Sequence, residues 1–162
     1  MTSSHPLPRL TAVALFSGCG GMTVGLKQAG FHVLGAVEID TLSVETYQAN
    51  HPEVTQWATD IRELDAGIVR RTLDLRRGQL DLLAGCPPCQ GFSSLRTLNG
   101  SKTVDDPRNH LLGDFLRFAT ELLPKTLLLE NVPGLRNSPL FDEFRTGLGE
   151  LGYHHDFKIL DA

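Results

Sequence analysis

The sequence has no basic excess, no long apolar run and few cysteines. Lys and Arg together number 15 against 19 Asp and Glu, a formal charge of −4. Composition alone therefore does not advertise a polyanion partner, and any nucleic-acid contact has to come from a local patch. No stretch approaches the roughly 20 apolar residues of a membrane-spanning helix. The opening MTSSHPLPRL is polar and Pro-rich, without the apolar segment of a secretory leader. The three cysteines, Cys19, Cys86 and Cys89, are an odd number, which points to a reducing compartment and thiol chemistry rather than a disulfide frame. What is present is 162 residues, 41% hydrophobic and 21% charged, the composition of one ordinary globular domain. A chain of this length buries roughly 70% of its unfolded surface, so it needs neither disulfide nor structural metal, and it has little room for a second domain.

Strand and helix patterns alternate along the chain. Thr11 to Phe16 is a short apolar run ending in SGCGG, followed by Met22, Leu26 and Ala29 at helical spacing before Gly30, a C-cap. His32 to Ile39 reads as a second strand, and Asp40 or Thr41 caps a helix that runs to about Asn50 and stops at Pro52. Val54 to Ile61 is a third strand around Trp57, and Arg62 to Arg77 is a charged connection with helical spacing at Leu64 and Ile68. Leu80 to Ala84 is a fourth strand, followed by a long loop from Gly85 to Arg108. His110 to Leu123 carries an apolar stripe wide enough to cover a sheet. Thr126 to Leu129 is a short apolar strand of the kind expected when both sheet faces are covered. Ser138 and Pro139 read as N-cap and N1 of a helix closed by Gly152, and Tyr153 to Leu160 as a last strand. The pattern predicts an α/β fold with a mostly parallel sheet, helices on both faces and ligands at the carboxyl ends of the strands. Residues 1–10 read as a tail and 11–162 as one domain.

Three groups of residues fall at predicted strand ends. After the first strand, Ser17-Gly-Cys-Gly-Gly lets backbone approach a ligand at a helix N-terminus. Thr23 stands where G-x-G-x-x-G needs its last glycine, so the dinucleotide fingerprint is imperfect. Glu38, at the end of the second strand, is placed to accept hydrogen bonds from ribose hydroxyls, which suggests a nucleoside-containing ligand. After the fourth strand, Gly85-Cys-Pro-Pro-Cys-Gln-Gly-Phe-Ser uses two prolines to fix the backbone before Cys89. The same segment is a C-x-x-C, open to a redox pair or half a zinc site, although neither Cys19 nor His154-His155 supplies a second ligand pair at finger spacing. After the fifth strand, Glu130 opens Glu-Asn-Val-Pro-Gly, where partial burial would favour its neutral form.

Together, FSGCGG with Gly25, Glu38-Ile-Asp, Asp60-Ile, Pro-Pro-Cys-Gln-Gly-Phe-Ser and Glu-Asn-Val resemble the DNA (cytosine-5) methyltransferase family over about residues 11 to 161. The resemblance implies a Rossmann-like S-adenosylmethionine-dependent methyltransferase fold, with a cytosine in DNA as methyl acceptor. It implies that Phe16, Gly18, Gly20 and Gly21 form the cofactor turn and Glu38 holds the ribose. Ile39 and Ile61 would sandwich the adenine, Asp60 would accept from its amino group, and Pro88 and Leu111 would line the same pocket. Cys89 would be the nucleophile, adding at carbon 6 of the base, and Glu130 would bind ring nitrogen N3 and the exocyclic amine. A base inside a duplex is out of reach, so it must be flipped. Gln90, Ser93 and Arg96 lie in the loop expected to close over it and touch phosphates. Cys19 and Cys86 carry no implied role, and Arg62, Arg70, Arg71, Arg76 and Arg77 read as a solvated face.

Family members continue past the segments present here with a Gly-Val-Pro-Gln motif, a further strand, a target-recognition domain and a returning C-terminal helix. The sheet is accordingly expected to be incomplete at its C-terminal edge, the missing strand lying between the fifth and the last. The expected protein is the cofactor and nucleophile half of a bacterial, cytoplasmic enzyme, completed by a second polypeptide or a C-terminal segment. The same residues also fit an inactive fragment, a binding module for nucleic acid or adenosylmethionine, or a tRNA-methylating relative.

Overall fold

The computed structural model describes residues 9–88 and 111–160. Five strands, β1 (Thr11–Leu15), β2 (His32–Glu38), β3 (Thr55–Ala58), β4 (Leu82–Gly85) and β5 (Thr126–Leu129), form one parallel sheet in the order β3-β2-β1-β4-β5. The helices are α1 (Gly21–Gln28), α2 (Thr41–Asn50), α3 (Ala66–Thr72), α4 (Leu111–Leu122) and α5 (Pro139–Glu150), with a 3₁₀ turn at Pro133–Asn137. Chain order reverses between β1 and β4, which opens a crevice above their carboxyl ends, the place where a doubly wound sheet takes its ligand.

Alternation along the strands separates two cores. On one face Ala12, Ala36, Leu82 and Ala84 pack with Leu26 of α1 and Tyr47 of α2. On the other, Val13, Leu15, Val37 and Leu83 meet Val69 of α3, Phe115 and Phe118 of α4 and Phe144 of α5. The alanines leave room for Tyr47, whose fully buried hydroxyl is satisfied by Thr23 Oγ1 at 2.8 Å. Phe115 and Phe144 meet edge to face at 5.8 Å between centroids, the arrangement ring quadrupoles prefer. Local signals set the helix starts. Asp40 accepts from Ser43 N at 2.9 Å, Asp65 from Gly67 N at 2.7 Å, and Ser138 from Leu140 N at 3.2 Å ahead of Pro139, each supplying an acceptor to an otherwise orphan helix N–H.

The structure departs from the sequence pattern in four places. The third strand is confined to Thr55–Ala58, so Thr59, Asp60 and Ile61 belong to the turn beyond it. The charged connection contains a helix, α3, capped by Asp65. Tyr153 to Leu160 is not a strand. A strand requires a laddered neighbour, and among the described residues β5 pairs only with β4. Phe157, Ile159 and Leu160 are exposed instead. For the same reason β5 is covered on one face only: Leu127 and Leu129 pack on the core, while Leu128 remains 45% exposed. No helix among the described residues is long and apolar enough to cross a membrane.

Two substitutions separate these environments. Leu128→Thr is expected to change unfolding free energy by less than about 0.5 kcal/mol, whereas Phe115→Ala, in the closed core, should cost about 3–5 kcal/mol. Urea unfolding monitored through Trp57 fluorescence measures both, and a large loss for Leu128→Thr would contradict the one-sided burial of β5.

Candidate active site

The turn after β1 is shaped by backbone that few residue types tolerate. Phe16 has φ 55°, Gly18 φ 51° and Gly20 φ 100°. For a bulky residue such as Phe16 the left-handed region is strained, and such strain concentrates where a fold positions a ligand. Gly20 caps α1, and a Cβ there would lie 2.7 Å from Nε2 of the buried His51. His51 is in turn held by Lys27 Nζ at 2.7 Å from its Nδ1 and by the Tyr47 ring at 4.8 Å. Glycine at this position is therefore required both by the dihedral and by the close seat on the imidazole.

Glu38 ties that turn to the end of β2. Its Oε2 accepts from Gly18 N at 2.8 Å, and its Oε1 accepts from Ile39 N and Asp40 N at 2.9 Å each. Three fixed donors leave Oε2 with an open acceptor position, suited to a hydroxyl donor arriving from the crevice. Beside it lies a cavity of about 220 Å³ lined by Phe16, Val37, Glu38, Ile39, Thr59, Asp60, Ile61, Arg62, Pro88 and Leu111. Seven of the residues singled out from the sequence, Phe16, Glu38, Ile39, Asp60, Ile61, Pro88 and Leu111, thus meet at one place. Ile61 is buried whereas Ile39 is 60% exposed, so one apolar wall is preformed and the other is left for a ligand to cover.

Two arginines were not singled out by sequence as part of this site. Arg62 lines the cavity and binds Asp60, whose carboxyl is held below the usual carboxylate range chiefly by that guanidinium. Arg117, on α4, does not line the cavity; it donates to Ile61 O at 2.6 Å, to Leu64 O at 2.8 Å and to Asp114 at 2.9 Å. It anchors the turn that carries Asp60 and Ile61 to the core. In sequence both are undistinguished members of an Arg-rich chain.

At the ends of β4 and β5, parallel pairing brings Gly85 opposite Leu129, and Glu130 N donates to Gly85 O at 3.1 Å. The next positions, Cys86 and Glu130, are therefore neighbours. Burial pushes the Cys86 thiol up to about 12, and its hydrogen bond to the Glu130 carboxylate and that group's charge push in the same direction. Cys86 is thus held as a neutral thiol. Glu130 is exposed, so the burial expected at this strand end is absent. Asn131, between Glu130 and Val132, donates from Nδ2 to Pro87 O at 3.0 Å and accepts from Val132 N at 2.8 Å. It clasps the Pro-Pro segment to the end of β5, a role the sequence does not disclose. Cys89, Gln90, Ser93 and Arg96 lie outside the described residues.

A parallel sheet with a crevice at its switch point lined by Glu38, Asp60 and two isoleucines, and a Pro-Pro turn clasped beside a glutamate, defines an α/β protein of the methyltransferase class. Residues 10–162 match the family model described as C-5 cytosine-specific DNA methylase, and the chain belongs to that family. It is 36% identical over 156 residues to the Type II methyltransferase M.AgeI of Thalassovita gelatinovora, covering 94% of this chain and 35% of that protein. It is 37% identical to the Type II methyltransferase M1.HphI of Haemophilus parahaemolyticus, covering 94% of this chain and 41% of the relative. Among solved structures, Dnmt2 methyltransferase of S. pombe superposes with a TM-score of 0.67 at 27% identity, over 88% of this chain and 41% of that one. The chain thus spans less than half the length of these relatives.

The Cys86–Glu130 contact has a direct chemical readout. In a Cys89→Ser background, iodoacetamide at pH 8.5 should label the exposed Cys19 on the order of 100-fold faster than Cys86, whose thiolate appears only as pH approaches about 12. Glu130→Gln removes the carboxylate charge and should speed Cys86 labelling. Equal labelling of Cys19 and Cys86, read by peptide mass spectrometry, would contradict the burial of Cys86, and Cys86 labelling unchanged by Glu130→Gln would contradict the contact.

Proposed function

We propose that this chain carries the cofactor-binding and nucleophile half of a methyltransferase acting on carbon 5 of cytosine in DNA. Residues 11–162 form that half, behind a short N-terminal tail. The observation that carries the reading is the convergence of Glu38, Ile39, Asp60, Ile61, Pro88 and Leu111 on one cavity, at the same carboxyl edge of the sheet as Glu130.

The cavity's donor set suits S-adenosylmethionine. Glu38 presents an anchored carboxylate with acceptor capacity for ribose hydroxyls, Ile39 and Ile61 offer apolar surface to a purine, and Asp60 offers an acceptor to its amine. The glycine turn at Gly18, Gly20 and Gly21 presents backbone at the start of α1. When bound, the cofactor supplies an electrophilic methyl group on a sulfonium. The protein's part is to make the base nucleophilic. Carbon 5 of cytosine is too weak a nucleophile on its own, so the Cys89 thiolate adds at carbon 6 and places electron density on carbon 5. A free thiol is only a few per cent thiolate at pH 7, yet that fraction is strongly nucleophilic. Glu130 holds N3 with a shared proton and accepts from the exocyclic amine, drawing density from carbon 6 and stabilising the adduct. Loss of the carbon 5 proton after methylation expels Cys89. Asn131, by holding Pro87, fixes the segment from which Cys89 extends.

Gln90, Ser93 and Arg96 contact the nucleic acid around a flipped base. Sequence reading in the groove is supplied by a further segment or a second polypeptide, a reading supported by the greater length of the relatives, by the edge of β5 that has no ladder partner among the described residues and by the exposed Leu128. The setting is the bacterial cytoplasm, where type II systems of this kind find DNA.

Two measurements test this. Calorimetric titration with S-adenosylhomocysteine should show measurable binding by this chain, weaker than low micromolar, on the reading that a further segment or a second polypeptide completes the site; low-micromolar affinity would contradict that completion. When the chain is supplemented with the C-terminal half of a close relative, methyl transfer from labelled donor to DNA should appear, be abolished by Cys89→Ser and fall about 100-fold or more with Glu130→Gln. Transfer that survives Cys89→Ser would overturn the mechanism, and transfer to tRNA in preference to DNA would overturn the substrate.

A further inference from the structure

The carboxylate that should receive the purine amine is already engaged. Asp60 Oδ1 accepts from the Arg62 backbone N–H at 2.9 Å and from Arg62 Nε at 3.0 Å; Oδ2 accepts from Nε at 3.0 Å and from Nη2 of the same guanidinium. Three N–H groups of Arg62 thus make four contacts, the single Nε–H being shared, so each oxygen of a carboxylate with about four acceptor positions is already approached by two donors. The Asp60 side chain is only 15% exposed, whereas that of Arg62 is 49% exposed, and both line the cavity. The aspartate is therefore fixed, and the arginine is the partner that can move into water at small cost. The carboxylate is also ionised and can only accept.

We propose that Arg62 competes with the ligand's 6-amino group for Asp60, so that this residue sets how strongly the cavity distinguishes a 6-amino purine from a 6-oxo purine. This rests on the reading of the cavity as the adenosylmethionine site. An amine entering the cavity replaces Nε or Nη2 at Oδ2, while the backbone bond to Oδ1 persists. A 6-oxo purine places an acceptor at position 6, which repels Asp60 and takes a hydrogen bond from the displaced guanidinium, and its N1–H is the one donor it can offer the carboxylate. Arg62 therefore weakens the amino ligand and rescues the oxo ligand, narrowing the difference between them. Without the guanidinium, Asp60 faces the purine with one free oxygen, and the two ligands diverge.

The test is calorimetric titration of the full chain with S-adenosylhomocysteine and S-inosylhomocysteine, comparing wild type, Arg62→Met, which keeps an apolar stem, and Arg62→Lys, which keeps the charge without the fork. Arg62 is exposed, and circular dichroism melts verify that the variants fold. Arg62→Met is expected to bind the adenosyl ligand about tenfold more tightly and the inosyl ligand more weakly, since a hydrogen bond to a charged group is worth roughly one decade in affinity. Arg62→Lys should fall between. An amino-to-oxo affinity ratio that is unchanged in Arg62→Met, with wild type binding the adenosyl ligand, overturns the competition and leaves the cofactor reading standing. Absence of adenosyl binding in all three proteins overturns the cofactor reading and the competition with it.

Discussion

The carboxylate of Glu38 is the point on which the site is built. It takes three backbone donors from two different segments, Gly18 after β1 and Ile39 and Asp40 after β2, and hydrogen bonds to an ionised acceptor are roughly twice as strong as neutral ones. The glycine turn, strained at Phe16, has no regular ladder of its own and depends on this link for its shape. One residue thereby couples sheet geometry to the crevice: β1 and β2 are held in register by the sheet, and their loops are held together by Glu38.

The rest of the crevice is assembled by similar cross-ties. Arg117 joins α4 to the turn at Ile61 and Leu64, and Asn131 joins the end of β5 to Pro87. Neither side chain faces the cavity. Both hold loop backbone against rigid elements, which is how a site on strand-end loops keeps its geometry. The Phe115 ring does the same from below: a Cβ on Gly85 would lie 2.9 Å from it, so α4 packs directly under the last residue of β4.

Legibility in the sequence followed the range of the interaction. β1, the glycine turn and α1 were plain because an apolar run, Gly positions at positive φ and helical spacing are all local signals, and Glu38 was placed by its distance from the turn. Seven cavity residues could be named because each lies at the end of a strand whose pattern is local. The missed features are contacts between segments. Arg62 looked like one of five solvated arginines, and only the turn after β3 folds its guanidinium onto Asp60. The last strand departs from its pattern for a related reason. Tyr153 to Leu160 has a β-like pattern, but strands exist as pairs, and this segment has no ladder partner among the described residues.

By itself the sequence determined the chemistry on offer: a thiol after two prolines, a glutamate after an apolar strand, and a glycine turn with an acid twenty residues on. It also determined the fold class, because alternating period-two and period-3.6 patterns leave few layer arrangements. Only the tertiary structure decided which ends stand together. The placing of β1 beside β4, of Cys86 beside Glu130 and of Asn131 against Pro87, 44 positions away, comes from parallel pairing and register. Those are non-local choices, settled by the packing of two helical layers against one sheet, and no short stretch of sequence contains them.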